Sequence, residues 1–274
     1  MLTPTPALAE AAPTPAPVAP PTTPAPALAP APTVQSNTQL AAAGVSGLRN
    51  QVAQWAASQN CALLGGDVRD GDAVLVSGLA GSRAVQELRQ GLSALAPSGQ
   101  IDWRVNGVDQ AFCPTLDALR PAMAAFGSSG PHLGLQMAEG KSRLHDGEAV
   151  RVRLLMPDFA GALRVDYVGH DGSVQHLYPQ LADPKAHIQA DAPRTYAPGE
   201  AVNLSNPAWT ISEPYGTDMI IAVASSAPLF ASPRPDNAES ADSYLRDLQA
   251  AIETARQHGV HVAGAAVTLE ALPK

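Results

Sequence analysis

Two histidines and an aspartate within seven residues, His170, Asp171 and His176, are the first candidates for chemistry in this sequence. Imidazole and carboxylate groups transfer protons near neutral pH and bind metal ions. The surrounding pattern predicts a β-hairpin with its turn at Asp171-Gly172, which places His170 exposed at the tip and His176 on the returning strand. We therefore favour an Asx-type turn followed by a strand histidine. Convergence of both histidines on a carboxylate, as in a hydrolase, is the remote alternative.

The two cysteines, Cys61 and Cys113, are the second candidates. Neither has a nearby positive group that would lower its pKa, and neither has a Cys or His within five positions, so a nucleophile and a zinc site are both disfavoured. The pair brackets a compact stretch of chain, as a single disulfide does in an oxidising compartment. Two buried free thiols in a cytosolic protein are the alternative.

Other catalytic patterns are missing from the sequence. The glycine-rich stretch 78–82 has no following lysine, Ser225-Ser226 lacks the glycines of a nucleophile elbow, and the motifs of protein kinases do not occur. We predict no catalytic, cofactor-binding or metal-binding residue. Three aromatic residues are possible contacts for a ligand or partner: core packing is favoured for Trp209, and an exposed contact surface is open for Tyr196 and Tyr215.

The composition excludes one class of partner. The formal net charge is −8 over 274 residues, and no basic stripe is present that would bind nucleic acid. Residues 1–40, rich in Pro and Ala, predict a disordered linker, which would act either as a stalk from a membrane or as an ordinary leader. No signal peptide or run of 18 apolar residues is recognised.

Residues 41–128 predict a small α/β module. Its pattern is a helix from Ser46, a hairpin with its turn at 69–72, a helix over 82–96 and a third strand at 101–105. The order is similar to that of BON-type modules of bacterial envelope proteins, a resemblance that covers about 61–108. A boundary is predicted in the Gly- and Ser-rich stretch 127–131.

Residues 129–274 predict a β-rich domain. Alternating apolar residues indicate two strands before the 163–178 hairpin, and the apolar run at 219–224 indicates a strand buried on both faces. Residues 180–208 indicate a long surface excursion. A helix starting near Ser240 or Asp236 and carrying Tyr244 is expected to cover the sheet, followed by a closing strand broken at Gly264. The predicted fold class is α+β: a disulfide-linked ββαβ module followed by a β-rich domain with a C-terminal helix.

The sequence also resembles a known domain. His-Asp-Gly-Ser-Val-Gln-His-Leu-Tyr-Pro at 170–179 and Glu-Pro-Tyr-Gly-Thr-Asp-Met-Ile-Ile-Ala-Val-Ala at 213–224 are similar to a bacterial domain of unknown function (DUF4384) found at the C-terminal end of membrane-bound serine/threonine protein kinases. The resemblance covers roughly 144–230 and carries no catalytic residues.

The resemblance implies a non-catalytic tail in the periplasm that senses a ligand or binds an unidentified envelope protein. Its contact with the membrane would run only through a segment upstream of this sequence. An envelope or secretion-system adaptor without a kinase is the alternative function.

Overall fold

The computed structural model describes residues 37–69, 73–96, 100–124, 130–182, 190–192, 194–230, 234 and 237–274. Helix α1 spans Asn37–Ser58 and buries Val52 and Ala56. It therefore begins before the predicted Ser46, and the last four residues of the predicted linker 1–40 are helical. The rest of that linker lies outside the described residues, as do Asp70–Asp72 of the first predicted turn and most of the predicted boundary at 127–131.

The predicted ββαβ module is present. Strands β1 (Ala62–Arg69) and β2 (Ala73–Gly81) pair antiparallel, helix α2 (Val85–Leu95) follows, and β3 (Ile101–Val108) pairs parallel to β2. Helices α1 and α2 both carry leucine or valine side chains into the same small core, where Val52, Leu88 and Leu92 are buried. The similarity to BON-type modules itself stays a prediction.

A disulfide links the start of this module to the residue where helix α3 (Cys113–Leu119) begins. Cys61 and Cys113 are bonded, with their Cα atoms 4.4 Å apart, which confirms the predicted pairing. The Asp117 carboxylate also accepts a hydrogen bond from the Cys61 backbone N–H at 2.8 Å. The disulfide joins two residues that are 52 positions apart in the sequence. It therefore holds the first residue of α3 next to the residue that precedes β1.

Within the described residues, the β-rich part contains nine strands and one long helix, α4 (Ala241–Gln257). The strands are β4 (Gly134–Met137), β5 (Arg143–His145), β6 (Ala149–Leu155), β7 (Ala162–Val168), β8 (Ser173–Tyr178), β9 (Ala201–Thr210), β10 (Thr217–Ser225), β11 (Ala238–Ser240) and β12 (Val262–Leu272).

These strands form two sheets. One has six strands in the order β11-β8-β7-β10-β12-β5, and the other has three in the order β4-β6-β9. Strand β10 lies inside the larger sheet and is buried from Asp218 to Ser225, as its continuous apolar run predicts. Because side chains alternate along a strand, Ile220 and Ala222 face the smaller sheet, whereas Met219 and Ile221 face helix α4.

Helix α4 covers one face of the six-stranded sheet, as expected. Its buried stripe includes Tyr244, Leu248 and Ile252. Ser240 occupies the N-cap position but makes no side-chain cap hydrogen bond, and Asp236, the other cap candidate, lies outside the described residues. Residues from α3 share the apolar cluster beneath α4. Whether residues 41–128 and 129–274 fold independently stays a prediction.

Two details differ from the sequence expectations. The excursion predicted at 180–208 ends earlier, because β9 starts at Ala201 and pairs with β6. The predicted break at Gly264 is wrong: β12 pairs with β10 in continuous register from Val262 to Glu270. A side chain at Gly264 would place its Cβ 2.9 Å from the Cβ of Ala122, so the glycine allows close approach of the segment after α3.

Candidate functional site

A buried network around His176 occupies the helix-facing side of the six-stranded sheet. Asp166 on β7 lies directly opposite His176 on β8, and the Nδ1 atom of His176 is 2.6 Å from an Asp166 carboxylate oxygen. The second ring nitrogen is 2.9 Å from Glu239 on β11. His176 is only 2% exposed. Both ring nitrogens therefore contact carboxylates, and neither is left for a ligand.

Two arginines and a tyrosine complete this network. The Tyr244 hydroxyl donates to the other oxygen of Asp166, and Arg164 lies 3.4 Å from the first oxygen. Arg234 forms an ion pair with Glu239 and a second one with Asp247 on α4 at 2.9 Å. The network thus ties helix α4 to three strands through charge-assisted hydrogen bonds.

The titration behaviour follows from burial and these partners. Burial raises the pKa of the Glu239 carboxyl, but the hydrogen bonds from Arg234 and His176 outweigh it, so the net pKa is lowered. Burial and the Asp166 charge raise the pKa of Tyr244 well above its ordinary value. Burial lowers the pKa of Arg164, but the interactions with Asp166 and Tyr244 together more than offset this, so the net pKa is raised.

A cleft of about 530 Å³ opens beside the network. Its walls are largely apolar and include Leu163, Val223 and Phe230, and its polar lining includes Arg164 and Arg234. The two guanidinium groups lie 5.0 and 5.3 Å from the centre of the Phe230 ring. These are cation–π distances, so each arginine is held by a carboxylate and by the ring together.

A second histidine–carboxylate pair lies at the hairpin turn. The Nδ1 atom of His170 is 2.8 Å from Asp218 on β10, whose carboxylate also accepts from the His170 backbone N–H at 2.9 Å and the Tyr167 hydroxyl at 2.5 Å. Burial and Asp218 raise the pKa of Tyr167 above its ordinary value, so the hydroxyl stays a donor. Gly216 is needed here, because a Cβ on it would lie 2.6 Å from the imidazole.

The His170 ring has an open side. Its side chain is 31% exposed, and its Nε2 atom makes no hydrogen bond to the described residues. It lines a small pocket of about 150 Å³ together with Trp209 and Glu213. An Asp–His pair of this kind fixes the ring orientation, as a general base requires. Covalent catalysis would also need a side-chain nucleophile. Within the described ranges, no serine, threonine or cysteine hydrogen-bonds either histidine.

The two histidines do not converge on one carboxylate, in line with the favoured interpretation of the sequence. Asp171 accepts hydrogen bonds from the backbone and hydroxyl of Ser173 at 3.0 and 2.6 Å, which is the expected Asx-type turn. The sequence did not reveal that each histidine has a separate carboxylate partner. A detectable signal existed: Asp166 and Asp218 are acidic residues inside strands that are mostly apolar, and both are buried.

Two of the three aromatic candidates lie in the core between the two sheets, and the third packs against that core. Trp209 is buried as expected, and its Nε1 atom has no partner among the described residues. Tyr215 is partly buried against the same cluster. The exposed position considered for Tyr196 is wrong, since it is 1% exposed, stacks edge-on with Tyr178 and pairs its backbone with Gly161.

The residues that the structure describes have neither a metal-binding cluster nor a membrane-spanning helix. They contain no cluster of three or more His, Cys, Asp or Glu side chains arranged to hold a metal ion. None of their helices combines the length and apolar character that a membrane span needs.

Comparison with known proteins identifies one domain. Residues 144–228 match the family model of a domain of unknown function, DUF4384. The match includes both histidines and the strands β6 to β10, so the chain contains a DUF4384-like domain. It excludes Arg234, Glu239 and Tyr244, which complete the His176 network from outside the match. No curated protein sequence matches the chain.

Proposed function

We propose that this chain is a non-catalytic sensory or protein-binding module of the bacterial cell envelope, the tail of a serine/threonine protein kinase. The observation that carries the proposal is the cleft beside the His176 network. Its walls are apolar, and its arginines are already paired with carboxylates or stacked on Phe230. Such a cleft offers a preformed binding surface rather than a reactive group.

The envelope location is supported by the Cys61–Cys113 disulfide. Disulfides persist in oxidising compartments and are rare in the cytosol. We expect both thiols to resist alkylation in intact native cells until a reductant is added, as read by mass spectrometry of the full-length protein. Free, alkylated thiols in untreated cells would contradict this location.

The kinase association is supported by the resemblance of the 144–228 domain to the tails of membrane-bound kinases. To test it, residues 40–274 are deleted from the native gene, and phosphorylation is compared with that in the parent strain. We expect loss of the kinase signal. Unchanged phosphorylation would overturn the kinase proposal and would favour an envelope or secretion-system adaptor.

The role of the cleft is tested by filling it. Ala192 is an exposed residue of its lining, so Ala192→Trp introduces a large side chain without replacing a core residue. We expect this variant to reproduce the signalling defect of the deletion. The matched control is Ala94→Trp, at an exposed position of α2 away from the cleft. Equal behaviour of the two variants would remove the cleft from the proposal.

A further inference from the structure

The outer face of the three-stranded sheet has an unusual set of side chains. On β6, Val150, Val152 and Leu154 point into the core, so the alternate residues Arg151, Arg153 and Leu155 point outward. The pairing places Gln136 and Asn203 on either side of Arg153, and Ser205 beside Arg151. We call Arg151, Arg153 and Leu155 the Arg–Leu stripe.

Both arginines of the stripe are available for a partner. Neither forms an ion pair or a side-chain hydrogen bond with any residue that the structure describes, whereas Arg143, Arg164, Arg194 and Arg234 each pair with a carboxylate. The outward positions of β4, β6 and β9 carry no acidic residue. Glu139 lines a shallow pocket with Arg151 without an ion pair, and Glu148 is taken by Lys141.

Leu155 adds an apolar contact to this charge. It is 53% exposed, and it is the one exposed large hydrophobic side chain in the described part of the chain. Its cross-strand neighbours are Gly134 and Ala201, which are too small to cover it. A Cβ on Gly134 would lie 3.0 Å from the Cβ of Leu155, so a larger residue there would crowd it.

We propose that the Arg–Leu stripe is a docking surface for an acidic segment of a partner protein. Residues two apart on a strand are about 6.8 Å apart on one face, so an extended segment with two carboxylates and one apolar residue at alternate positions matches the stripe. The amides of Gln136 and Asn203 flank Arg153 and supply further hydrogen-bonding groups. The inference deepens the proposed protein-binding function and rests on it.

Charge and size favour a protein over the other occupants. Anionic lipid surfaces bind clusters of four to eight basic residues, and the stripe has two in a chain of net charge −8. A symmetric contact between two copies of the chain would place Arg151 and Arg153 against the same arginines, which repel. A segment rich in Asp and Glu needs no larger basic cluster, and both arginines attract it.

The test uses the full chain and a defined probe. The probe is a synthetic peptide in which two glutamates and a leucine alternate with serines, and binding is followed by NMR shifts of backbone amides. We expect shifts concentrated on β4, β6 and β9, weakened by salt. Arg151→Glu with Arg153→Glu should raise the Kd by roughly tenfold or more, since two attractions become repulsions.

The matched control reverses two other exposed arginines. Arg83→Glu with Arg89→Glu makes the same change in net charge on the ββαβ module and should leave the Kd within about twofold. Equal weakening of peptide binding by both double variants, or amide shifts centred elsewhere, would overturn the Arg–Leu stripe as a docking surface. The proposed roles of the cleft and of the envelope location would not be affected. Arginine-dependent binding to vesicles of phosphatidylglycerol and phosphatidylcholine without peptide binding, or arginine-dependent self-association in sedimentation, would also overturn it.

Discussion

The two histidines of the β7–β8 hairpin are six residues apart, yet they lie in opposite environments. His176 contacts carboxylates through both ring nitrogens beneath helix α4. His170 contacts one carboxylate through one nitrogen and presents its other side to a pocket. Their partners Asp166 and Asp218 belong to neighbouring antiparallel strands and point to opposite faces of the same sheet.

The difference shows how one motif serves two purposes. Both ring nitrogens of His176 already have carboxylate partners, so the main effect of the network is to fix α4 on the sheet and to shape the wall of the cleft. The His170 pair is rigid on the carboxylate side and open on the other, which leaves it able to bind a small group. A His–carboxylate contact therefore indicates function only where the second nitrogen is accessible.

The comparison predicts a large difference between two aspartate substitutions. Asp166→Ala removes the partner of buried His176, Tyr244 and Arg164, and we expect a loss of about 3–5 kcal/mol of unfolding free energy. Asp218→Ala leaves a half-exposed histidine that water can reach, so we expect a loss of about 1–3 kcal/mol. Urea denaturation of both variants measures this.

An exposed pair provides the control for these values. Asp102 binds Arg104 at 2.6 Å on the surface, and its replacement by alanine should leave the unfolding free energy nearly unchanged. Equal losses for Asp166→Ala and Asp218→Ala would show that the two faces of the sheet are equivalent, contrary to the comparison.

The sequence predicted the secondary-structure elements better than the tertiary contacts between them. The ββαβ order, the 163–178 hairpin and the buried β10 follow from local periodicity and turn residues, which act within a few positions. The disulfide followed from the placement of two cysteines. The prediction of a break at Gly264 was wrong. The glycine is there because Ala122 packs closely against it, and Ala122 lies far away in sequence.

The candidate site was less accessible to sequence reasoning for the same reason. His176 is followed by 62 residues before Glu239, its second carboxylate partner, and Tyr244 comes from another element. Residue type alone cannot pair such groups. Tyr196 was misjudged because its burial depends on one bridge to Gly161, a contact without a local signal.

The open histidine depends on a neighbouring glycine. Gly216→Ala should displace the His170 ring and break its hydrogen bond to Asp218, at a cost of about 1.5–3 kcal/mol. The downfield Nδ1 proton resonance of His170 should disappear with it. Gly65→Ala, which meets no atom within 4 Å, is the control and should keep both stability and resonance. Retention of the resonance in Gly216→Ala would mean that the ring is less confined than its contacts indicate.

A buried tyrosine, Tyr244, and a partly buried one, Tyr167, lie on opposite faces of the sheet and predict sensitivity to alkali. The raised pKa values of Tyr167 and Tyr244 mean that the folded state keeps protons which the unfolded state loses above about pH 10. Stability is therefore complete below that pH and falls above it, by up to about 1.4 kcal/mol per pH unit for each tyrosine. Denaturation at pH 9 to 11 measures the slope.

Phenylalanine substitutions distinguish the two faces in that experiment. Tyr244→Phe and Tyr167→Phe should each reduce the slope by the contribution of one proton. If only Tyr244→Phe does so, the Tyr167 side of the sheet is open to water, and the difference between the faces is larger than the side-chain contacts indicate.

The smallest expected effect concerns Glu239 and acid. Its net pKa is lowered in the folded protein, so its contribution to stability is present above the ordinary glutamate value and is lost as the pH falls through the folded value. Glu239→Gln should cost about 0.5–1 kcal/mol at pH 7, because the carboxylate is only partly buried, and should make stability less dependent on pH below the ordinary glutamate pKa. Glu148→Gln, at a more exposed ion pair with Lys141, is the control and should cost less at pH 7. If the two variants lose stability equally, the Glu239 carboxylate contributes no more to stability than a surface ion pair does. Asp166 alone would then hold the His176 network.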